Sequence, residues 1–457
     1  MKFESLCLSQ NILRAIEDLN FTETTNIQSL AIPHIIEGKD LIGNSHTGSG
    51  KTAAFVIPIL EMIDQGNNNI QVLILCPTRE LTLQITDEIR KFSKYMENIG
   101  SLAIYGGEPI FKQIRDLKKR PKIIIGTPGR VMDHLRRGTL KTAGVNMLVL
   151  DEADEMLNMG FREDIETILK DIPKEHQTLL FSATIPKGIL DISRNYMTDP
   201  KYIKVNNSTA TTPKIEESYF DITGTSKNEL LTRIIQLEKP SKSIVFCNTK
   251  IMTDTVASVL KGSDIKAESI HGDITQTART DIMKRFKQGM FNVLVATDVA
   301  ARGIDVDDIG IVFNYDIPID REYYTHRIGR TARAGKEGKS YTFVSGRSQI
   351  RELNEIMNHT KTIIKKRKNP SNNEIQEKRV RDIFRAVEDN IANMDIQIYK
   401  KAIDSAFDKK YTHADIACAL VKLLIDNNEN EKSFRDAQAG TNYYNRLRKN
   451  SPAHIKR

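Results

Sequence analysis

Strand-length apolar runs alternate with helix-like segments in two blocks of the chain, from about residue 30 to 200 and again from about 243 to 345. No other feature constrains the fold as strongly. A strand that reads as an unbroken apolar run must be covered on both faces, and helices returning over a sheet supply that cover. Each block therefore predicts a parallel, doubly wound α/β domain. The first offers Asp40–Gly43, Gln71–Cys76, Ser101–Tyr105, Lys122–Gly126, Met147–Leu150 and Thr178–Phe181 as strands. The second offers Ser243–Phe246, Ala267–Ile270, Asn292–Ala296, Ile309–Asn314 and Lys339–Val344. At 457 residues the chain is too long for one ordinary core. The predicted organisation is a first domain over 1–206, a linker over 207–217, a second domain over 218–365, a helical domain over 371–430 and a basic tail over 431–457. The linker is read from the polar, Pro-ended string "NNSTATTP" at 206–213.

Composition sets outer limits. No run approaches the ~20 apolar residues of a membrane span, and residues 1–10 lack a basic-then-apolar export pattern. The cysteines Cys7, Cys76, Cys247 and Cys418 form no CxxC pair and read as reduced thiols, which points to the cytoplasm. A formal net charge of +8 is compatible with a polyanionic partner.

Two strings carry chemistry. "SHTGSGKT" at 45–52 follows a strand candidate and enters the helix-like Ala53–Leu60. A Gly-rich turn at a helix entry presents backbone N–H groups to one anion. Ser45, His46, Thr47, Gly48, Ser49, Gly50, Lys51 and Thr52 are therefore the expected phosphate cradle. Lys51 would reach the β and γ phosphates of ATP, and Thr52 would place its hydroxyl on Mg²⁺. "DEAD" at 151–154 follows the strand Met147–Leu150, at the end of an open sheet that faces its ligand crevice. Asp151 is placed to hold Mg²⁺, and Glu152 to orient and deprotonate the attacking water. Either string alone has a bland reading, a chance helix entry or a solvated acidic cluster; together they read as an ATP hydrolase.

The order of the remaining motifs resembles the DEAD-box RNA helicases of superfamily 2 over about residues 1–350. "FTETTNIQ" carries Phe21, Thr25 and Gln28 and looks like the family's adenine-reading Q motif. There follow "PTREL" at 77–81, Gly106–Gly107, "TPGR" at 127–130, "DEAD" and "SAT" at 182–184. The second block carries "VFCNT" at 245–249, Gln276 and Arg279 after "HGD", "ATDVAARGID" at 296–305 and "HRIGRTARAG" at 326–335. The resemblance implies two RecA-like domains and a role for each motif. Gln28 would bond the adenine edge with Phe21 behind it, and Asp305 would lie near the ribose. Pro77, Thr78, Arg79, Gly106, Gly107, Thr127, Pro128, Gly129 and Arg130 would grip the RNA backbone from the first domain. Thr249, Gln276, Arg279, Thr297 and Arg302 would do so from the second. Ser182 and Thr184 would couple the domains' sites, and Arg330 and Arg333 would be arginine fingers. The chain departs from the family pattern at Asn20 and Ala332, where Gly is usual, at Thr24 and Asn26, where Pro is usual, and at Ser45.

The implied function is ATP-dependent, local unwinding of short RNA duplexes without sequence preference. Two other classes share many of these motifs, an ATP-gated RNA clamp and a DNA translocase. Beyond the core, Val380, Ile383, Phe384, Val387 and Ile391 repeat at helical spacing. Ile396, Tyr399, Ile403 and Ala406 make a second face, and Thr412 with Asp415 resembles a capping box ahead of Ile416, Leu420, Leu423 and Leu424. These helices could pack on the second domain. They are also similar to the dimerisation module of bacterial cold-shock-type DEAD-box helicases, which implies a homodimer acting in cold adaptation, ribosome assembly or RNA decay. The basic segments 361–368 and 446–457 are expected to add unspecific RNA affinity.

Overall fold

Both blocks of alternation become seven-stranded, wholly parallel sheets. The computed structural model describes residues 1–45, 48–205, 215–301, 306, 309–332, 337–393, 397–407 and 411–423. The first sheet holds β1 (Leu41–Asn44), β2 (Val72–Leu75), β3 (Ser101–Ile104), β4 (Ile123–Gly126), β5 (Met147–Leu150), β6 (Gln177–Ser182) and β7 (Lys201–Lys204), in the order β3-β4-β2-β5-β6-β1-β7. The second holds β8 (Ile215–Asp221), β9 (Ser243–Phe246), β10 (Ala267–Ile270), β11 (Val293–Ala296), β12 (Ile311–Asn314), β13 (Gly338–Val344) and β14 (Lys365–Arg367), in the order β10-β11-β9-β12-β13-β8-β14. Strand for strand the second order repeats the first, so the two units are RecA-like domains of one topology.

The central strands are apolar on both faces because both faces are covered. In the first unit Ile74, Ile125 and Val149 point into one core, and Leu73, Ile124 and Leu148 into the other. Successive side chains of a strand alternate faces, so four consecutive apolar residues fill both cores. Each fully buried Leu, Ile or Val contributes ~1.5–3 kcal/mol.

Two predicted boundaries move. The strand β8 begins at Ile215, inside the expected linker, and β14 ends at Arg367, beyond the expected end of the second domain. Neither strand is an apolar run. β8 alternates (IEESYFD), and β14 (KKR) is an edge strand, where lysines are favoured because they discourage further pairing. The cations of β14 are also engaged: Lys366 Nζ lies 3.1 Å from Asp221 Oδ2, and Arg367 donates to the Tyr341 hydroxyl at 2.6 Å. This part of the basic segment 361–368 is a structural strand. Residues 206–214 and the basic tail lie outside the described residues.

The C-terminal region is helical over Asn372–Asn393, Gln397–Phe407 and residues 413–423. The start of the first helix packs on Lys227–Glu238 of the second unit. Ile375 is buried there, Arg379 donates to Gln236 Oε1 (3.3 Å), Lys239 pairs with Asp382 (2.5 Å), and Arg233 donates to Pro370 O (3.3 Å). Farther along, Phe384, Val387, Ile391, Tyr399, Phe407, Leu420 and Leu423 are exposed. Packing on the second unit thus accounts for one end of the region and leaves most of its apolar face uncovered. Among the described residues no helix is long and apolar enough to cross a membrane.

Candidate nucleotide and RNA site

The phosphate turn lies at the carboxyl end of β1, beside β6 and close to β5. Ser45 N–H donates to Ser182 O (3.1 Å), and the Ser45 and Ser49 hydroxyls lie 2.9 Å apart. Gly48 (φ +81°) and Gly50 (φ +89°) are both left-handed, and Gly50 caps the helix Lys51–Met62. Lys51 is buried, its ammonium donating to Ser45 O (3.1 Å); Thr52 follows in the first helical turn. His46 and Thr47 lie outside the described residues.

The turn is tied to the predicted adenine-reading segment. Thr25 and Gln28 form a capping box at the start of the helix Asn26–Ile36, with Thr25 N–H donating to Gln28 Oε1 (2.9 Å). The other end of that amide, Nε2, donates to Gly50 O (3.1 Å). A carboxamide has two donors and two acceptor directions, so one of each remains for an adenine edge. Phe21 is partly exposed and rests on Phe3 and Phe92, with ring centroids 6.4 and 6.0 Å away.

Asp151 ends β5 and is buried. Burial pushes its carboxyl up to about 7, opposed by the Lys51 charge and reinforced by Glu152. A divalent cation held there would add to the Lys51 charge and favour the ionised carboxylate. Among the described residues no group of three or more His, Cys, Asp or Glu side chains is placed to hold a metal. Glu152 has φ +50°, a conformation that costs a non-glycine residue ~1–3 kcal/mol and is common at functional sites. Its N–H donates to Asp151 Oδ1 (3.0 Å). The next carboxylate, Asp154, is the brace. Its Oδ2 accepts from Thr184 N–H (2.8 Å) and Thr184 Oγ1 (2.9 Å), while its N–H donates to Ser182 Oγ (3.2 Å). Ser182 and Thr184 therefore hold the acidic turn in place, a task the motif alone did not disclose. The buried thiol Cys76, beside these strands, bonds the Thr82 hydroxyl (3.0 Å), and burial pushes it up. Cys247 is likewise buried, while Cys7 and Cys418 are exposed.

The predicted backbone-gripping residues of the first unit converge at the ends of β2, β3 and β4. Thr78, after Pro77, caps the helix Arg79–Phe92 and accepts from Leu81 N–H (3.3 Å). Arg79 sits 4.3 Å from the Tyr105 ring centre. Gly106 and Gly107 (φ +83°) form an exposed turn. Thr127 precedes the helix Pro128–Arg136, which opens with Pro128 and Gly129. Arg130 is mostly buried, and one guanidinium nitrogen donates to Glu108 O (2.9 Å) and Gln113 Oε1 (3.0 Å). Its bonds therefore run to the glycine turn, which it braces.

In the second unit Thr249 caps the helix Lys250–Gly262, accepting from Met252 N–H (3.2 Å). Gln276 opens the helix Gln276–Lys287, from which Arg279 donates to Ala300 O (2.7 Å). Thr297 follows β11, and its N–H donates to Ile270 O (3.4 Å). These ends belong to the adjacent strands β10, β11 and β9. Arg330 is buried, with Nε donating to His326 O (3.2 Å). Arg302, Asp305 and Arg333 lie outside the described residues. A residue the sequence did not single out is Arg327. Fully buried, it contacts both carboxylate oxygens of Asp298 (2.5 and 2.7 Å), Asn248 Oδ1 (3.0 Å) and Asp316 O (2.6 Å). It ties "HRIGR" to the motif segments at 245–249 and 296–305. Nothing in the string says which of its arginines turns inward.

Both departures from glycine fall at left-handed positions: Asn20 has φ +56° and Ala332 φ +55°. Asn tolerates this region well, whereas Ala pays ~1–2 kcal/mol. Glycine would remove that strain but add ~0.5–1 kcal/mol of unfolded-chain entropy. Ala332→Gly should therefore stabilise the second unit by up to about 1 kcal/mol in urea unfolding; a clear loss of stability would contradict the strain argument. Grooves of about 620 and 610 Å³ flank the helix Asn372–Asn393, but no predicted site residue lines either one.

Residues 25–192 match the family described as DEAD/DEAH box helicase, residues 226–335 the helicase conserved C-terminal domain, and residues 370–433 the RNA helicase DeaD dimerization domain. The chain is similar to the DEAD-box ATP-dependent RNA helicase CshA of Bacillus cereus, at 44% identity over 407 residues, covering 89% of this chain and 77% of that protein. It is equally similar to the CshA of Geobacillus kaustophilus, at 44% over 422 residues, covering 92% and 90% respectively. Among solved structures it resembles S. cerevisiae Dbp5 bound to RNA and ADP BeF3, at 28% identity and TM-score 0.73, covering 80% of this chain and 95% of that one. It also resembles Mss116p bound to ssRNA and AMP-PNP, at 29% identity and TM-score 0.71, covering 87% and 86%.

Proposed function

This chain belongs to the DEAD-box ATP-dependent RNA helicases, and from that membership we propose that it separates short RNA duplexes locally, without reading base sequence. One observation carries the reading: a single sheet edge gathers both chemistries. Lys51 and Asp151 sit at the ends of β1 and β5, and the turns suited to gripping a nucleic-acid backbone sit at the ends of β2, β3 and β4.

In this mechanism Lys51 and the N–H groups of the 48–50 turn hold the β and γ phosphates. Asp151 and Thr52 would hold Mg²⁺, which would supply charge to neutralise the phosphates. Glu152 orients and deprotonates the attacking water, and Gln28 selects adenine while Phe21 packs behind it. Arg330 and Arg333 act as fingers on closure, each able to contribute ~10³–10⁵ in rate, and Asp305 contacts the ribose. Thr78, Arg79, Gly106, Gly107 and Thr127 hold the backbone with Thr249, Gln276, Arg279, Thr297 and Arg302. Bent across both domains, one strand cannot stay in a duplex. Hydrolysis reopens the clamp.

Strand displacement on a short RNA duplex, run beside an ATPase assay with RNA and with DNA, tests this. RNA should stimulate turnover more than DNA, because the grip includes the 2′-hydroxyl, and ATP should release a strand. RNA-stimulated turnover without displacement would favour a clamp, and equal stimulation by DNA a translocase. The protein's setting is proposed to be cytoplasmic RNA remodelling in cold adaptation, ribosome assembly or decay. Normal cold growth and ribosome profiles in a deletion strain would count against it.

The exposed apolar face after Ile375, in the region matching the dimerization domain, supports a homodimer. Light scattering should give a dimer for the full chain and a monomer for one ending at Asn369. A monomeric full chain at micromolar concentration would end the idea.

A further inference from the structure

The helix Ile110–Leu117 leaves the Gly106–Gly107 turn with its inner side fixed and its outer side bare. Gln113 is buried and makes the attachment. Its Nε2 donates to Tyr105 O (3.0 Å) and Glu108 Oε2 (3.1 Å). Its Oε1 accepts from Arg130 (3.0 Å) and lies 3.1 Å from His134 Nε2. One amide thus joins the glycine turn to the helix that follows Thr127. Two residues earlier, and so on the far side of the helix, Phe111 leaves 73% of its surface in solvent. It belongs to neither apolar core of this unit. Cations outnumber acids on the surface around it: Arg115 one turn on is 71% exposed and Lys119 75%, both beside Asp116, Lys112 pairs with Glu108 (2.6 Å), and Lys118 and Arg120 are also exposed.

A ring carried on an anchored helix beside a phosphate grip, among cations, is what sequence-indifferent binding of a single strand uses. The cations follow the backbone and the ring takes a base, since every base has a π-face. A protein partner would instead want a broad apolar patch, whereas Glu108 and Arg115 flank the ring on its helix face and its one apolar i+3 neighbour, Ile114, is partly buried. We propose that Phe111 is a stacking platform for a base of single-stranded RNA adjoining the stretch held at Gly106–Gly107. The proposal rests on the assignment of that turn to RNA under the function above.

The chain contains no tryptophan, so Phe111→Trp places a single indole on the proposed platform. In the full chain with a non-hydrolysable ATP analogue, short oligoadenylate should quench its fluorescence, and an abasic ribose-phosphate strand should not. Phe111→Ala should raise KM for RNA in the ATPase assay about tenfold, the loss falling on KM rather than kcat, and Phe111→Trp should restore it. Equal quenching by the abasic strand, or an unchanged KM in Phe111→Ala, would overturn the platform while leaving the RNA clamp intact. A parent chain that oligoadenylate does not stimulate would overturn both. A change of oligomeric state in Phe111→Ala would make the ring a protein contact and overturn the proposal.

Discussion

Glu152→Gln is expected to lower kcat for ATP by ~10²–10⁴, the contribution of a positioned base, while ATP still binds. The amide keeps the size and hydrogen-bonding reach of the carboxylate but cannot accept the proton. The local fold should tolerate the change, because the bond from residue 152 to Asp151 Oδ1 comes from the backbone. The strained φ of +50° is a backbone property that Gln can adopt as Glu does. Nucleotide binding should hold or tighten, since Glu152 is one of the charges pushing Asp151 upward, and removing it favours the ionised form a cation needs. If hydrolysis opens the clamp, the variant should also release RNA slowly once ATP is bound. Multiple-turnover ATPase, a fluorescent-nucleotide titration and an RNA dissociation rate measure the three effects. Near-parental turnover would remove Glu152 from the role of base, whereas lost nucleotide binding would make its role structural.

What could be read from the sequence follows the physics of burial. The central strands were visible because both of their faces are covered and they must be apolar throughout; Val72–Leu75, Met147–Leu150 and Ser243–Phe246 fall within or match the expected runs. The missed strands β7 (KYIK), β8 and β14 lie on the β1/β8 side of each sheet, where cover thins and lysines sit. The repeat of one strand order in both units could have exposed β8, since the second block otherwise lacks a counterpart to β1. The position of a motif residue was legible where the motif fixes backbone chemistry, as at the left-handed Gly50 and at Asp151 after β5. Residues that act through another side chain were not. Gln113 in mid-helix reads as a surface amide, yet it is buried between the Gly106–Gly107 turn and the helix that follows Thr127. Arg327 reads as one more basic residue in a basic string, yet it is fully buried on Asp298. Spacing places a residue on a helix face; which buried partner awaits it depends on strands far away in the sequence.

Gly50→Ala should have the other large effect, because two independent constraints meet at one Cα. The backbone there has φ +89°, which costs an L-residue ~1–3 kcal/mol. A Cβ would also lie 2.6 Å from Gln28 Nε2 and 3.0 Å from Thr25 Oγ1, so the carboxamide must leave or the turn must shift. Either movement breaks the Gln28 to Gly50 O bond, worth ~1 kcal/mol, and disturbs the turn whose N–H groups are proposed to hold the phosphates. Together these should weaken ATP binding by about 10²-fold or more. Gly48→Ala is the control: Gly48 has φ +81°, but nothing lies within 4 Å of its Cβ, so that variant carries backbone strain alone and should lose less. The steric part can be isolated further. In Gln28→Ala the obstructing amide is gone, so adding Gly50→Ala should cost much less than it does in the parent, a coupling that additive effects would not produce. Nucleotide titration of these variants, with urea unfolding to confirm folding, gives the answer. Parental ATP affinity in Gly50→Ala, or strictly additive losses in the double variant, would separate the adenine-reading segment from the phosphate turn and leave Gln28 without its structural link to catalysis.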